Sequence, residues 1–164
     1  MTTDRKVFFE IVMRGREGQL AFMLDREPTL LEARDHTGAT PLILAAREGY
    51  QNHVELLLDR GADMEASDNA GFTALMHAGL YGQGTVARTL MRAGAYAGRV
   101  TKSGMTAASC AQASDFPALA DEIRAVVADE TEVAKAFWSR EAGSMSQGTA
   151  KPLTVRKKPV SFAP

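Results

Sequence analysis

The chain has 164 residues, 45% of them hydrophobic, and a formal net charge of −1 at neutral pH, which is enough apolar content for one domain with a continuous core. Its single cysteine, Cys110, excludes an internal disulfide and fits a reducing compartment. No apolar stretch approaches the length of a membrane span, so the expected location is the cytoplasm, or the nucleus if the host has one.

The N-terminal segment MTTDRKVFFEIVMRG mixes acidic and basic residues with apolar ones. It lacks an uninterrupted apolar run before a small-residue cleavage site, so it reads as an amphipathic helix and not a signal peptide. Gly15, Leu20, Met23 and Leu24 follow, and at a spacing of 34 the same types return as Gly49, Val54, Leu57 and Leu58. Before that return stands an opening absent upstream, Asp35-x-x-Gly38-x-Thr40-Pro41. The whole pattern of Asp35, Gly38, Thr40, Leu42, Ala45, Gly49, Leu57, Gly61 and Ala62 then recurs 33 residues on as Asp68, Gly71, Thr73, Leu75, Ala78, Gly82, Leu90, Gly94 and Ala95. A weaker third copy keeps Gly104, Thr106 and Ala111, with Ala108 in place of the leucine. Self-similarity at a fixed period marks a stacked repeat protein.

The elements of one unit follow from its residues. Asp-x-x-Gly sets a tight turn. Thr40-Pro41 starts a helix, the hydroxyl capping free N–H groups and the proline losing no bond at the first helical position. Leu42, Ala45 and Ala46 form a stripe narrow enough for a neighbouring helix to approach closely. Gly49 ends this helix, Val54, Leu57 and Leu58 line a second at helical spacing, and Gly61 supplies the left-handed residue beyond it. One such unit cannot bury its own apolar face, so units must stack.

Asp35-x-x-Gly38-x-Thr40-Pro41-Leu42-x-x-Ala45-Ala46-x-x-Gly49, followed by Val54-x-x-Leu57-Leu58-x-x-Gly61-Ala62, resembles the ankyrin repeat, over roughly residues 5 to 133. The histidine usual after Pro-Leu in that family is replaced by Ile43, Met76 and Ser109, so the hydrogen bonding it normally gives is expected to be missing. Ala74 replaces the proline in one unit, and Ala107-Ala108 the Pro-Leu pair in the next. The expected architecture is an all-α ankyrin-repeat solenoid of about four helix–turn–helix units (about 5–34, 35–67, 68–100 and 101–133) with an extended C-terminal helix. The repeat domain is expected to span 1–140 and a flexible basic tail 141–164.

Beyond the third copy, Asp115 occupies the slot of Gly49 and Gly82, and Pro117 follows it. Leu119, Ile123, Val126, Val127, Val133, Ala134 and Phe137 keep helical spacing without a glycine stop. That predicts one long helix, or two broken near Asp129, running to about Arg140. Phe137 and Trp138 are expected to fold over the end of the stack or, otherwise, to anchor a partner. The remainder mixes Gly, Ser, Pro and Lys, a composition that buries too little surface to offset ordering entropy. Within it, Lys158-x-Val160-x-Phe162 resembles the short basic-x-Val-x-Phe docking motif read by type-one protein phosphatases, an extended peptide added to a sheet edge. Arg156, Lys157 and Lys158 equally suit a nucleic-acid or membrane-surface contact, or simple solubility.

Charge is segregated along the chain. Residues 1–68 carry 8 Lys/Arg against 13 Asp/Glu, whereas residues 69–114 hold no acid and four bases, Arg88, Arg92, Arg99 and Lys102. Segregation suggests a basic band that meets an acidic or phosphate-rich partner, against the alternative of an unevenly solvated surface. Gly82-x-Gly84-x-x-Ala87 matches a dinucleotide-binding pattern, but a helix precedes it where a strand is needed. His77 and Cys110 hold one slot in adjacent units, too few ligands for a closed zinc site and without the orienting acid of a nucleophilic pair. Packing with a local hydrogen bond is the expected role. Catalysis, cofactors and metals are therefore not expected.

The resemblance implies a non-catalytic protein–protein interaction module, an adaptor or regulator, binding through its groove and turn tips as a monomer. The slots around each turn glycine, and two late in each first helix, are expected to face the groove without a part in stacking. They hold His36, Thr37, Ala39, Arg47 and Glu48 in one unit, Asn69, Ala70, Phe72, Leu80 and Tyr81 in the next, and Lys102, Ser103 and Met105 in the last. Phe72, Leu80, Tyr81 and Met105 would form an exposed apolar cluster with Arg47 and Lys102 at its edges, the composition of a binding hot spot. The competing function is a charge-driven binder of nucleic acid or a phosphate-rich partner, using the 69–114 band and the tail.

Overall fold

A computed structural model describes residues 3–129, with side chains from Arg5 onward. The expected tail, its Lys158-x-Val160-x-Phe162 motif and the Phe137–Trp138 cap lie outside the described residues. The elements alternate in helical pairs. Helices α1 (Thr3–Met13) and α2 (Glu17–Arg26) form the first pair, followed by a short 3-10 turn at Pro28–Glu32. The second pair is α3 (Pro41–Glu48) and α4 (Gln51–Asp59), and the third is α5 (Ala74–Leu80) and α6 (Gly84–Arg92). The fourth opens with α7 (Ala107–Ala113) and continues with α8, helical from 117 through 129.

Each first helix after the first pair starts on the threonine the sequence marks for it. Thr40, Thr73 and Thr106 accept hydrogen bonds from the N–H groups of Ile43, Met76 and Ser109 at 3.4, 3.4 and 3.1 Å, satisfying donors the helix itself leaves open. In the last unit Ser109 also returns a bond, accepting from Thr106 N–H at 2.8 Å, so the slot without its histidine still closes a reciprocal cap. The core runs unbroken through the pairs: Phe8, Val12 and Leu20 lead to Leu42, Ala45 and Leu57, then Leu75, Ala78 and Leu90, then Cys110, Ala111 and Ile123, all buried. Burial pushes the Cys110 thiol up from its ordinary value, consistent with a packing role.

Successive units are tied by a ladder that no local motif announces. The residue after each inter-helix turn covers the turn residue of the unit before it: Tyr50 lies on Gly15, Gln83 on Gly49 and Phe116 on Gly82. Those glycines have positive φ, as does Asp115 in the same slot at 67°, the one non-glycine residue to take that conformation among the described residues. Tyr50 hydroxyl donates to Met13 carbonyl at 3.1 Å and Gln83 Nε2 to Arg47 carbonyl at 3.2 Å. Within α5, Gly79 lies so close to Ala107 carbonyl that no side chain fits between the helices.

Candidate partner-binding surface

The turns that project from the stack are built alike. Asp35 and Asp68 main-chain N–H groups donate to Ala39 and Phe72 carbonyls, and Gly38 and Gly71 N–H groups donate back to the aspartate carbonyls, all within 3.0–3.1 Å. Asp35 Oδ1 accepts from Thr37 and Ala39 N–H at 2.8 and 3.0 Å. Asp68 Oδ1 does the same for Ala70 and Phe72 at 3.0 and 2.9 Å. In the last unit Thr101 fills the aspartate slot, its hydroxyl accepting from Met105 N–H at 3.0 Å. A hydroxyl closes the turn in place of a carboxylate, so repeat spacing alone marks the position.

The second carboxylate oxygen of Asp68 makes the feature that sets this unit apart. His77 Nε2 lies 2.9 Å from Asp68 Oδ2, with both side chains nearly buried. Burial alone would raise the Asp68 carboxyl, but the His77 hydrogen bond, the Phe72 and Ala70 N–H groups and the His77 charge together outweigh it and hold the group below its ordinary range. An ionised carboxylate only accepts, so His77 donates from Nε2. The imidazole plane is thereby fixed. Phe72 meets it tilted at a centroid distance of 5.7 Å, and Tyr81, one turn along, stacks on it at 6.2 Å with 15° between planes.

This geometry redistributes the expected site. Phe72, Leu80 and Met105 are half-buried against the core, so the four-residue exposed apolar cluster narrows to Tyr81, whose surface is 50% exposed. Ala39 is buried, not in the groove. Asn69 is exposed yet does take part in stacking, since its N–H donates to Thr37 carbonyl at 3.0 Å and its side chain covers Gly38. His36 is exposed beside Asp35, and Lys102 is exposed on its own turn. Arg47 and Glu48 pair with each other at 2.9 Å. His77, expected in packing with a local hydrogen bond, makes that bond to Asp68, an acid the sequence did not suggest beside it, and also carries Tyr81.

The basic band is not a free cationic face. Arg88 grips Glu122 through two bonds of 2.8 and 2.9 Å, which raise the arginine and lower the carboxyl from their ordinary values. Arg99 lies 3.5 Å from Glu65. Arg92 and Lys102 are exposed. No helix among the described residues is long and apolar enough to cross a membrane.

A family model of ankyrin repeats in three copies matches residues 11–101. The chain belongs to the ankyrin repeat family. It is similar to the mouse ankyrin repeat and SAM domain-containing protein 6, with 38% identity over 102 residues, covering 62% of this chain and 11% of that protein. It is also similar to the human ankyrin repeat domain-containing protein 63, 34% identical over 95 residues, or 56% of this chain and 25% of that one. The mouse neurogenic locus notch homolog protein 1 shares 38% over 84 residues, 51% of this chain and 3% of that protein. The chain thus spans a small part of each relative's length. Ankyrin repeats generally mediate protein–protein interaction, and the family is typically non-catalytic.

Proposed function

We propose that this ankyrin repeat protein is an adaptor or regulator that binds a partner protein through the face carrying Tyr81, with His36, Arg47, Glu48, Asn69 and Lys102 around it and Phe72, Leu80 and Met105 as its floor. One observation carries the reading: a half-exposed tyrosine is held in one orientation by a histidine that is itself tied to a turn aspartate. An aromatic side chain ordered before binding loses little entropy on contact, which is how binding anchors gain affinity. A tyrosine that served only solubility or packing needs no such support.

The test begins by placing a photo-reactive residue at position 81 and, as control, at Glu55, which is exposed on α4, and identifying the protein captured in native cells from the first position alone. Affinity for that protein is then measured for the intact chain and for Tyr81→Ala. A loss of at least about 2 kcal/mol in binding, with an unchanged unfolding midpoint, supports the reading. Equal capture from both positions, or an unaltered affinity, rejects it.

A further inference from the structure

The repeats provide their own comparison for a residue that the binding face does not use. Four residues beyond the inter-helix turn residue stand His53 in α4, Val86 in α6 and Leu119 in α8, all buried, whereas the same slot in α2 is Gln19 and is exposed. Aliphatic side chains fill it in two units, so packing there calls for no polar group. His53 is only 1% exposed, and neither of its ring nitrogens has a hydrogen-bond partner. Gln51 Oε1, two residues earlier, is likewise buried and unpaired. Both residues line a cleft of about 260 Å³, with Gly15, Glu17, Gly49, Tyr50 and Asn52, between the first helical pair and the second. An imidazole left without a partner in a packed slot is destabilising, and an imidazolium there is more so.

We propose that His53 makes this junction pH-sensitive: the packed slot excludes the imidazolium, so acidification loosens α1 and α2 from α3 and α4. Burial lowers the His53 imidazole from its ordinary value of 6.5, and the opposing influences of the Glu17 charge and of the Val12 main chain do not restore it. The groups facing the ring leave little scope for relief. From α2 the charged neighbour is Glu17, which already accepts from Asn52 Nδ2 at 2.9 Å. From α1 it is the Val12 main chain. Tyr50 lies edge-on at 5.5 Å, Arg47 and Glu48 of α3 pair with each other, Glu55 on α4 accepts from Gln51, and α6 presents Thr89 to Gln51. Because the folded form resists the proton that the unfolded chain accepts, this contribution to stability is full above pH 6.5 and declines as pH falls below it.

Urea unfolding of the full chain at about pH 7.5 and about pH 5.5 tests this, with His53→Val as the comparison. Between the two pH values the folding equilibrium constant of the wild type should fall relative to the variant by up to about tenfold, and the variant should be the more stable at both. Parallel pH dependences, or a less stable variant, would overturn the proposal. Two measurements on the wild type need no variant. The His53 ring protons should titrate below 6.5, and on acidification amide protection, corrected for the intrinsic pH dependence of exchange, should fall in α1 and α2 before α5 and α6. Titration at or above 6.5, or a uniform change in protection, would overturn it as well.

Discussion

Asp68 uses both carboxylate oxygens, one for its own turn and one for His77, so a single side chain links turn formation to the posture of Tyr81. Asp68→Ala removes three hydrogen bonds from an almost buried site and is expected to cost about 2–3 kcal/mol, measured by chemical denaturation. Asp68→Asn keeps an acceptor for the turn N–H groups and should recover part of that loss. The pH dependence separates the charge from the shape. With its folded value depressed, the carboxylate stabilises the fold fully above its ordinary value of 3.8, and the contribution fades as pH falls through the lower folded value. The stability gap between wild type and Asp68→Asn should therefore close in acid. A gap constant down to about pH 2 would show that the charge contributes nothing.

The repeating elements were legible because their signals are local. Thr-capped helix starts, the turn glycines and the apolar stripes all lie within a few residues of the structure they set, and each reappears in register. What links one element to the next was not legible: Tyr50 on Gly15, Gln83 on Gly49, Asn69 on Gly38, and Arg88 with Glu122. Those pairs lie 31–35 residues apart, and nothing in a side chain's type announces which neighbour's turn it covers. The same distance hid the weakening of the apolar cluster, since Phe72, Leu80 and Met105 look exposed when each unit is read alone. Asp115 gives the ladder a test in two directions. A residue with a Cβ in the left-handed conformation carries strain of about 1 kcal/mol, so Asp115→Gly should stabilise by up to that amount. Gly82→Ala places a methyl group in the space of the Phe116 ring and should destabilise, with thermal unfolding showing opposite shifts for two changes in equivalent slots.

Charges segregated along the chain are partly reunited in the folded stack, and that determines how far the basic band can act on its own. Each unit reaches to its neighbour: Glu32 accepts from Asp63 N–H, Arg60 pairs with Asp25, Glu65 accepts from Tyr96 N–H and faces Arg99, and Arg88 holds Glu122. Of the four cations in 69–114, two therefore meet carboxylates that a polyanion would have to displace, while Arg92 and Lys102 stand exposed. Counterion release makes the consequence measurable, because each neutralised phosphate adds about −0.9 to the log–log dependence of affinity on salt. Titration of duplex DNA between about 50 and 200 mM salt, using the full chain with Arg156, Lys157 and Lys158 changed to glutamine, isolates the band from the basic tail. Two available cations predict weak binding with a slope no steeper than about −1.8. A slope near −3.6, as four phosphate contacts would give, would mean that Arg88 and Arg99 abandon their carboxylates for nucleic acid, and the charge-driven function would then displace the protein-binding one.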